Sequence, residues 1–466
     1  MKKTIVLKKG LIFIVVGVLI YSGLGFLPTQ TQATIQKSEY DLLIITSALF
    51  TNELQPLVAH KEQHMITTKI VTLDDIYDSV YFPAEGRDDA EQMKYFIKNA
   101  LDEWFITYVL LVGGRKYGTT EIWHVPVRYV EVEWADKRYL SDLYFADIYD
   151  NTSLFQSWDT DNDTIFGTPK DLMDLNPDVY VGRWACRNSL EVRTLVQKTI
   201  AYETIANDPK KIVLIGGDTD GGVNDADEGE AITTTTASYF SGYNIEKVYA
   251  SEITVSAKNI KDAVGTGASF MHFSGHGFVV YWVTYKHGET YITAEPGFGN
   301  WDIASFSNTH YPIVVFGGCH TSMFNVALTY HAYFWAPDYD LPLLLRLYPG
   351  MECLGWCFNK KIDGGSIATL GFTNFATIAS GNHSDKDKDG IAEPDCAEEF
   401  SGYIETQFFY AYSKANISML GQCWGYAEDT YLQVYDYTKT KDNCDLRTVQ
   451  SFVLLGDPSL KIGGYT

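Results

Sequence analysis

The sequence predicts an α/β protein with mainly parallel sheets, organised as two α/β subdomains. Short apolar runs typical of buried strands alternate with longer amphipathic segments typical of helices, from residue 40 to residue 320. The rhythm breaks at residues 207–211 (NDPKK) and then restarts. Strand–helix–strand units of this kind form parallel sheets with helices on both faces, which gives three layers.

The first half of the chain supplies four predicted strands and three predicted helices. The strands are the apolar runs at 40–46, 64–71, 108–114 and 177–185, and the helices are predicted at 51–64, 88–105 and 188–207. The last helix begins at an Asn-Ser pair, which is a common start signal. Residues 115–180 form a looser region rich in Tyr, Trp and Asp.

The second half repeats the pattern after a subdomain boundary near 208–210. Strands are predicted at 212–218, 245–250, 268–277 and 311–320, and helices at 229–241 and 256–265. We therefore assign residues 34–208 to an N-terminal α/β subdomain and residues 209–466 to a second one, which carries the site described below.

The N-terminal segment is typical of an export signal. Residues 1–10 carry four lysines and no acid, an apolar run follows at 11–27, and small residues stand at Thr31 and Ala33. This order predicts a signal peptide over residues 1–33, although the run is also long enough for an uncleaved anchor. We expect a secreted or extracellular protein that attaches to a membrane only through that anchor.

The acidity of the chain argues against nucleic-acid partners. The net charge is −23, and removing residues 1–33 with their four lysines makes it −27. Neutralising phosphates requires a surplus of Lys and Arg, which is the opposite of this balance. The acidity fits an extracellular surface and calcium-binding loops.

Three predicted strands of the second half end in residues that can carry chemistry: Asp218, His276 and Cys319. Open α/β sheets place ligands and catalytic groups at the carboxyl ends of their strands. An imidazole can act as the base for a thiol nucleophile, and the N–H groups of Gly277 and Cys319 could hold an oxyanion. The small residues beside these side chains would let a substrate backbone approach closely.

Two other interpretations fit the same residues. A cysteine in an α/β core is usually a small buried hydrophobe, and a Gly-His-Gly motif is weak evidence by itself. His272, His276, Cys319 and His320 could also ligate zinc, although no CxxC or HxxxH spacing fixes them.

Two motifs resemble those of the gingipain-type cysteine peptidases, family C25 of the caspase-like clan. They are SGHGFVVYW (274–282) and VVFGGCH (314–320), and similarity extends over DLLIIT, YVLLVGG, VYVGRWACRNSLEV, GGSIATLGFT and LLGDPSL. The resemblance implies a caspase-like three-layer αβα sandwich and an endopeptidase that works through a Cys–His dyad and a thioacyl-enzyme. It implies Cys319 as nucleophile, His276 as general base, Gly277 as oxyanion donor and Asp218 as the residue that orients His276.

One departure from the family concerns specificity. Members that prefer arginine carry Asp two residues after a Gly-Glu pair, where this chain has Ile232. We expect Ile232 to line an apolar pocket with Trp282 as an aromatic wall, unless Asp225, Asp227 or Glu228 folds inward. Cleavage should then be less strictly directed to basic residues.

The 7 cysteines leave an odd one if the others pair. Six of them (186, 353, 357, 396, 423 and 444) could form disulfides outside the cell and leave Cys319 free. The alternative is that several are simply buried thiols.

Two acidic loops predict structural calcium sites. In DTDND (159–163) and DKDKDGIAEPD (385–395), Asp recurs at alternate positions, so that three carboxylates can converge on one cation. The predicted ligands are Asp159, Asp161 and Asp163 in the first loop, and Asp385, Asp387 and Asp389 in the second. The alternative is a pair of solvated acidic turns, and no cofactor is expected for catalysis.

Three functions remain open from the residues and the resemblance. The first is a secreted cysteine endopeptidase that acts on proteins or peptides. The second is a catalytically inactive relative that binds peptides outside the cell, and the third is a Cys/His metal protein. Thiol-blocking reagents distinguish the first two, and metal analysis tests the third.

Overall fold

A computed structural model of the protein contains two large β-sheets with helices beside them. The structure describes residues 39–116, 121–133, 137–205, 208–221, 227–290, 297–326, 352–380, 384–439 and 443–465. The strands before residue 208 are β1 (Leu42–Thr46), β2 (Thr68–Thr72), β3 (Tyr108–Val112), β4 (Tyr129–Glu131), β5 (Arg138–Leu140) and β6 (Tyr180–Trp184). The order β2-β1-β3-β6 forms a parallel sheet, and β4 and β5 form an antiparallel pair.

The second half builds a larger sheet and a small antiparallel one. Its strands are β7 (Lys211–Gly216), β8 (Asn244–Tyr249), β9 (Phe270–Ser274), β10 (His276–Phe278), β11 (Tyr281–Val283), β12 (Gly297–Gly299), β13 (Ile313–Gly317), β14 (Ala368–Phe372) and β15 (Phe452–Leu455). The large sheet has the order β15-β14-β13-β9-β7-β8, and β15 is its antiparallel edge. The strands β10, β11 and β12 form the small sheet.

The helices mostly follow the strands, as the predicted strand–helix–strand rhythm requires. They are α1 (Thr51–Gln63), α2 (Leu73–Tyr77), α3 (Asp89–Trp104), α4 (Ser189–Thr204), α5 (Glu228–Tyr239), α6 (Ala257–Val264), α7 (Asn300–Ile303), α8 (Leu354–Asn359), α9 (Asp395–Glu398), α10 (Phe400–Ser413), α11 (Leu420–Val434) and α12 (Cys444–Ser451). The predicted start of α4 is confirmed, because the Asn188 side chain accepts from the N–H of Glu191. Within the described ranges, no helix combines the length and the apolar character that crossing a bilayer requires.

The predicted α/β class with mainly parallel sheets is confirmed, and the break near 208–210 separates the two large sheets. The sheets are nevertheless packed together within one compact unit. One hydrophobic core contains Val109 of β3, Leu370 of β14 and Leu454 of β15. An ideal Cβ on Gly182 of β6 would lie 2.4 Å from the carbonyl oxygen of Gly456, so the backbones touch there. The two halves therefore share their core.

A buried ion cluster also joins the halves. Lys61 of α1 is fully buried, and its Nζ lies 2.9 Å from Glu203 of α4 and 2.8 Å from Asp457, which follows β15. Breaking such a pair leaves an uncompensated buried charge, which typically costs about 3–5 kcal/mol.

Candidate active site

The two central strands of the large sheet bring the predicted cysteine and histidine to one edge. Strands β9 and β13 pair in parallel, with Ser274 opposite Gly317. His276 and Cys319 each stand two residues beyond those paired ends. The predicted strand over 268–277 ends at Ser274, because the chain turns at Gly275 into β10. The Gly275 N–H then donates to the Gly317 carbonyl oxygen at 2.9 Å, which ties the two turns together.

Glycines make this close approach possible. An ideal Cβ on Gly277 would lie 2.4 Å from the carbonyl oxygen of Cys319 and 2.5 Å from its nitrogen. An ideal Cβ on Gly318 would lie 2.8 Å from the nitrogen of Gly277. The sequence led us to expect that these small residues let a substrate backbone come close. In the structure they allow the histidine segment and the cysteine segment to touch each other.

Cys319 keeps part of its surface open while its neighbours in the strand are buried. Its Sγ lies 3.6 Å from the carbonyl oxygen of Ala376, in the loop that follows β14. Burial raises the pKa of the Cys319 thiol above its ordinary value, and the Arg447 guanidinium and the Gly277 N–H oppose this. The resting side chain is therefore a neutral thiol that needs a base.

His276 is held by a backbone carbonyl group. Its Nε2 lies 2.8 Å from the carbonyl oxygen of Thr219, in the loop after β7. A carbonyl oxygen only accepts, so Nε2 carries the proton of the neutral ring and Nδ1 carries the lone pair. Burial lowers the pKa of His276, while the Thr219 carbonyl and the nearby Asp218 and Asp220 carboxylates oppose the change. The ring is thus a neutral base near neutral pH.

Asp218 shapes the loop that presents Thr219. Its Oδ1 accepts from the N–H groups of Asp220 at 2.7 Å and Gly221 at 3.1 Å. Its backbone carbonyl accepts from the Thr284 hydroxyl at 2.7 Å. Asp218 therefore acts on His276 both as a nearby charge and through the conformation of its loop. The Thr219 carbonyl itself was missed by the sequence analysis, because a backbone group leaves no residue signature.

The two predicted specificity residues are buried, and this corrects the prediction that they line a pocket. Ile232 of α5 is fully buried and packs against Cys396 and Ala397. Trp282 is also fully buried, its ring packs on Phe273 with 5.3 Å between centroids, and its Nε1 donates to the Gly317 carbonyl oxygen at 3.2 Å. Trp282 thus supports the turn after β13, and Ile232 packs α5 against α9.

The acids proposed to replace a missing pocket carboxylate have other partners. Asp227 contacts Nδ1 of His287 at 3.0 Å. Glu228 accepts from both the N–H and the hydroxyl of Thr219 at 2.9 Å. Asp225 lies outside the described residues.

All seven cysteines are free thiols, so the structure supports the alternative of buried thiols over six paired cysteines. Five of them are buried, and only Cys319 and Cys357 are partly exposed. Cys353 and Cys357 stand at the start and on the first turn of α8, where their spacing is poor for a disulfide.

The zinc interpretation does not fit the surroundings of His272. Its Nδ1 lies 3.0 Å from the Thr236 hydroxyl and its Nε2 lies 3.1 Å from a Glu405 carboxyl oxygen, deep in the core. Burial lowers the pKa of His272 to about 3 and raises that of Glu405. Both ring nitrogens are therefore engaged away from Cys319.

Each acidic loop recruits one carboxylate from outside the predicted set. Among the described residues, the groups able to hold a metal ion are Asp159 with Asp161 and Asp171, and Asp385 with Asp387 and Glu398, each with one oxygen per residue within 4.8 Å of the others. This corrects the predicted ligands Asp163 and Asp389, whose carboxylates instead accept from the backbone N–H two residues later, at 2.8 and 2.7 Å. Three carboxylates are a donor set that suits calcium.

The two groups differ in charge. Asp159 of the first group already contacts the Arg87 guanidinium. In the second group, burial and the neighbouring acids Asp389, Glu398 and Asp385 raise the pKa of Asp387 to about 6. A bound cation would therefore relieve more repulsion between carboxylates in the second group than in the first, where Arg87 already supplies a positive charge.

Comparisons with known proteins agree with the geometry. The profile of peptidase family C25 matches residues 35–463. Gingipain R1 from Porphyromonas gingivalis is 23% identical over 281 residues, which is 58% of this chain and 24% of that protein. Gingipain R2 from the same species is 24% identical over 269 residues, which is 55% of this chain and 30% of that protein. This chain thus spans less than a third of the length of these relatives.

A solved structure shares the fold. The crystal structure of the Arg-specific cysteine proteinase gingipain R superposes with a TM-score of 0.60 and 17% identity, and covers 92% of this chain and 79% of that one. The predicted caspase-like α/β fold is confirmed by this likeness.

Proposed function

The chain belongs to peptidase family C25, a family of cysteine peptidases, and on this premise we propose that it is a secreted endopeptidase acting through Cys319 and His276. The observation that carries the proposal is the contact between the His276–Gly277 and Gly318–Cys319 segments at the carboxyl edge of the large sheet. Protein or peptide substrates follow from the family.

In the proposed reaction, Nδ1 of His276 removes the thiol proton of Cys319 as Sγ attacks the carbonyl carbon of the scissile peptide bond. The imidazolium then gives this proton to the leaving amine, the C–N bond breaks, and a thioacyl-enzyme remains. Water, deprotonated by His276, hydrolyses the thioester and restores the thiol. The Thr219 carbonyl supports this cycle because it holds the Nε2 proton, so that the lone pair of the neutral ring is on Nδ1.

We assign the oxyanion donor to the N–H of Gly277. The Gly277 nitrogen lies 2.8 Å from the position of an ideal Cβ on Gly318, so this N–H stands beside the segment that carries Cys319. A donor placed there before reaction stabilises the negative oxygen that develops, and one such donor is typically worth about 10²–10³-fold in rate.

The alternative of an inactive peptide-binding relative is not favoured. Cys319, His276, the glycines between them and the Thr219 carbonyl occur together at one edge of the sheet, which supports an active enzyme. A binding protein would have no need of this combination.

The proposed specificity is less strictly basic than that of the Arg-specific relative. Asp227 and Glu228 are engaged by His287 and Thr219, which supports a pocket whose selectivity does not rest on these carboxylates. A paired buried carboxylate is what makes a pocket selective for a basic side chain.

We also propose calcium as a structural ion at the two carboxylate groups, and export through residues 1–33. The convergence of Asp385, Asp387 and Glu398 supports the first proposal. The lysine-rich start and the apolar run support the second.

Hydrolysis of a peptide library by the wild type, Cys319→Ala and His276→Ala tests the function. Each of the two variants should lose at least about 10³-fold in kcat/KM while remaining folded. Cys357→Ala is the matched control, since this thiol is also partly exposed but lies in α8. Activity in Cys319→Ala above a tenth of the wild type would refute the assignment, and strict Arg or Lys selectivity of the wild type would refute the proposed specificity.

A further inference from the structure

A carboxylate that the proposed reaction does not use stands at the start of α5. Glu228, the first residue of α5, is 4% exposed. Its Oε2 accepts from the Thr219 N–H at 2.9 Å and from the Thr219 hydroxyl at 2.9 Å. One buried carboxylate oxygen thus binds both donors of a single residue.

The third polar group of Thr219 faces the catalytic base. Its carbonyl oxygen lies 2.8 Å from Nε2 of His276. The same loop is fixed on its other side by the Asp218 carboxylate, which accepts from Asp220 and Gly221, and by the Gly229 N–H, which donates to the Gly217 carbonyl oxygen at 3.0 Å. The Asp218 carbonyl, which precedes Thr219, also accepts from the Thr284 hydroxyl at 2.7 Å and from the Tyr285 N–H at 3.0 Å. Of the two carboxylates that fix this loop, Glu228 is the one that binds Thr219 itself.

We propose that Glu228 is a positioning residue of the peptidase reaction: it clamps Thr219 so that the Thr219 carbonyl keeps His276 in the Nε2-protonated tautomer. This inference rests on the proposed function. The hydrogen bonds of a neutral histidine ring decide its tautomer. A nitrogen that faces an acceptor such as a carbonyl oxygen carries the proton, and the other nitrogen carries the lone pair. If the carbonyl moves away, the proton can occupy Nδ1, and the ring can no longer accept the thiol proton there.

The other groups near the ring do not replace this clamp. Asp218 and Asp220 act on His276 as nearby negative charges, and the Tyr285 ring packs against the imidazole at 5.6 Å between centroids. The charges favour the imidazolium that forms during the reaction. The Thr219 carbonyl is the group hydrogen-bonded to Nε2, and its orientation selects the tautomer of the neutral ring.

Three variants separate the clamp from a general effect of charge. Glu228→Ala removes both bonds to Thr219, and Glu228→Gln keeps an accepting oxygen without the charge. Glu230→Gln is the matched control, because Glu230 lies in the same first turn of α5 but bonds the N–H and hydroxyl of Ser251 at 2.9 and 2.6 Å.

In peptide hydrolysis, Glu228→Ala should lower kcat by about tenfold or more with KM nearly unchanged, because a small displacement of a catalytic group has large effects on rate. Glu228→Gln should fall between Glu228→Ala and the wild type, and Glu230→Gln should match the wild type. An equal loss in Glu230→Gln, or a folded Glu228→Ala with wild-type kcat, would overturn the proposal.

A second readout does not depend on activity. Nitrogen-15 NMR of labelled histidines, with the His276 signal assigned by its loss in His276→Gln, reports the tautomer directly. The wild type should be protonated at Nε2 and Glu228→Ala should show an Nδ1-protonated fraction. A wild type with this tautomer but no hydrolysis would leave the clamp standing and refute the peptidase. An unchanged tautomer in Glu228→Ala would refute the clamp alone. If Glu228→Ala does not fold, Glu228→Leu, which fills the same space without an accepting oxygen, decides in the same way.

Discussion

The substitution Gly277→Ala would place a methyl group between the His276–Gly277 and Gly318–Cys319 segments. The new Cβ would lie 2.4 Å from the carbonyl oxygen of Cys319, 2.4 Å from the carbonyl carbon of Gly318 and 2.5 Å from the Cys319 nitrogen. All three atoms belong to the backbone, so no side-chain rotation can relieve the overlap. Ordinary contacts between nonbonded heavy atoms are about 3.5–4.0 Å, so the segments must separate by about 1 Å.

The effect on rate should exceed the effect on stability. Overpacking of this kind costs about 1–3 kcal/mol of folding free energy, which a large domain tolerates. A displacement of about 1 Å between base and nucleophile can cost about 100-fold in rate. The variant should therefore fold, melt somewhat below the wild type and lose most of its kcat.

Steady-state peptide hydrolysis and thermal unfolding measure the two effects separately. Gly425→Ala is the matched control, because its Cβ would meet only side-chain atoms of Tyr180, the nearest at 2.4 Å. This control should keep kcat/KM within about threefold of the wild type, since Gly425 stands in α11 and touches neither the His276–Gly277 nor the Gly318–Cys319 segment. A Gly277→Ala enzyme with kcat/KM within the same range would refute the claim that the segments touch through this glycine.

Three further predictions follow from burial and charge. Burial raises the pKa of the Cys319 thiol and lowers the pKa of the His276 imidazole. The pH midpoint for alkylation of Cys319 by iodoacetamide should therefore lie above that of an ordinary cysteine, and the acid limb of kcat/KM should lie below the pKa of an ordinary histidine. Rapid alkylation that persists in mild acid would instead indicate a preformed ion pair. The pKa of Asp387 is raised from 3.8 to about 6, so ionisation of this carboxyl opposes folding. The metal-free protein should therefore lose stability as the pH rises from about 4 to about 6, and calcium should restore the stability. A melting temperature that neither chelator nor calcium changes would show that the loops are plain acidic turns. Ile232 is fully buried, so Ile232→Asp should lower the free energy of unfolding by about 3 kcal/mol or more, and Ile232→Val by only about 0.5–1.5 kcal/mol. A stable Ile232→Asp protein with a new preference for basic residues would restore the interpretation that Ile232 lines the specificity pocket.

The closeness of the His276 and Cys319 segments could be predicted because apolar runs mark the strands that precede them. The runs before His276 and Cys319 became β9 and β13, which lie next to each other in the sheet. Parallel strands end at the same edge, so the segments that follow them lie close together once the strands are neighbours. The glycines beside them could also be seen in the sequence, and the structure shows that they let the two segments touch each other.

Groups that act through the backbone could not be predicted. Thr219 holds His276 with its carbonyl oxygen, and Ala376 places its carbonyl oxygen near the Cys319 sulfur. Any residue type can supply a carbonyl group, so composition and spacing carry no trace of it. The bonds from Thr219 to Glu228 likewise depend on how the loop folds back onto α5.

The errors concern residues whose orientation depends on packing. Ile232 was expected to line a pocket because it follows the Gly-Glu pair by two residues. Spacing along the sequence does not tell which face of a helix is buried. Asp163 and Asp389 cap their own loops, and the convergent third carboxylates come from Asp171 and Glu398. An odd number of cysteines suggested a leftover thiol, yet pairing requires Cα and Cβ geometry that counting cannot supply.

Covalent trapping tests the central claim most directly. The wild type, Cys319→Ala and His276→Ala would be treated with a peptidyl acyloxymethyl ketone at pH 7, and the modified residue would be mapped by mass spectrometry. We predict one adduct on Sγ of Cys319 in the wild type, none in Cys319→Ala, and labelling slowed by at least about tenfold in His276→Ala, since the neutral thiol needs its base. An adduct on another residue, or undiminished labelling without His276, would contradict the account.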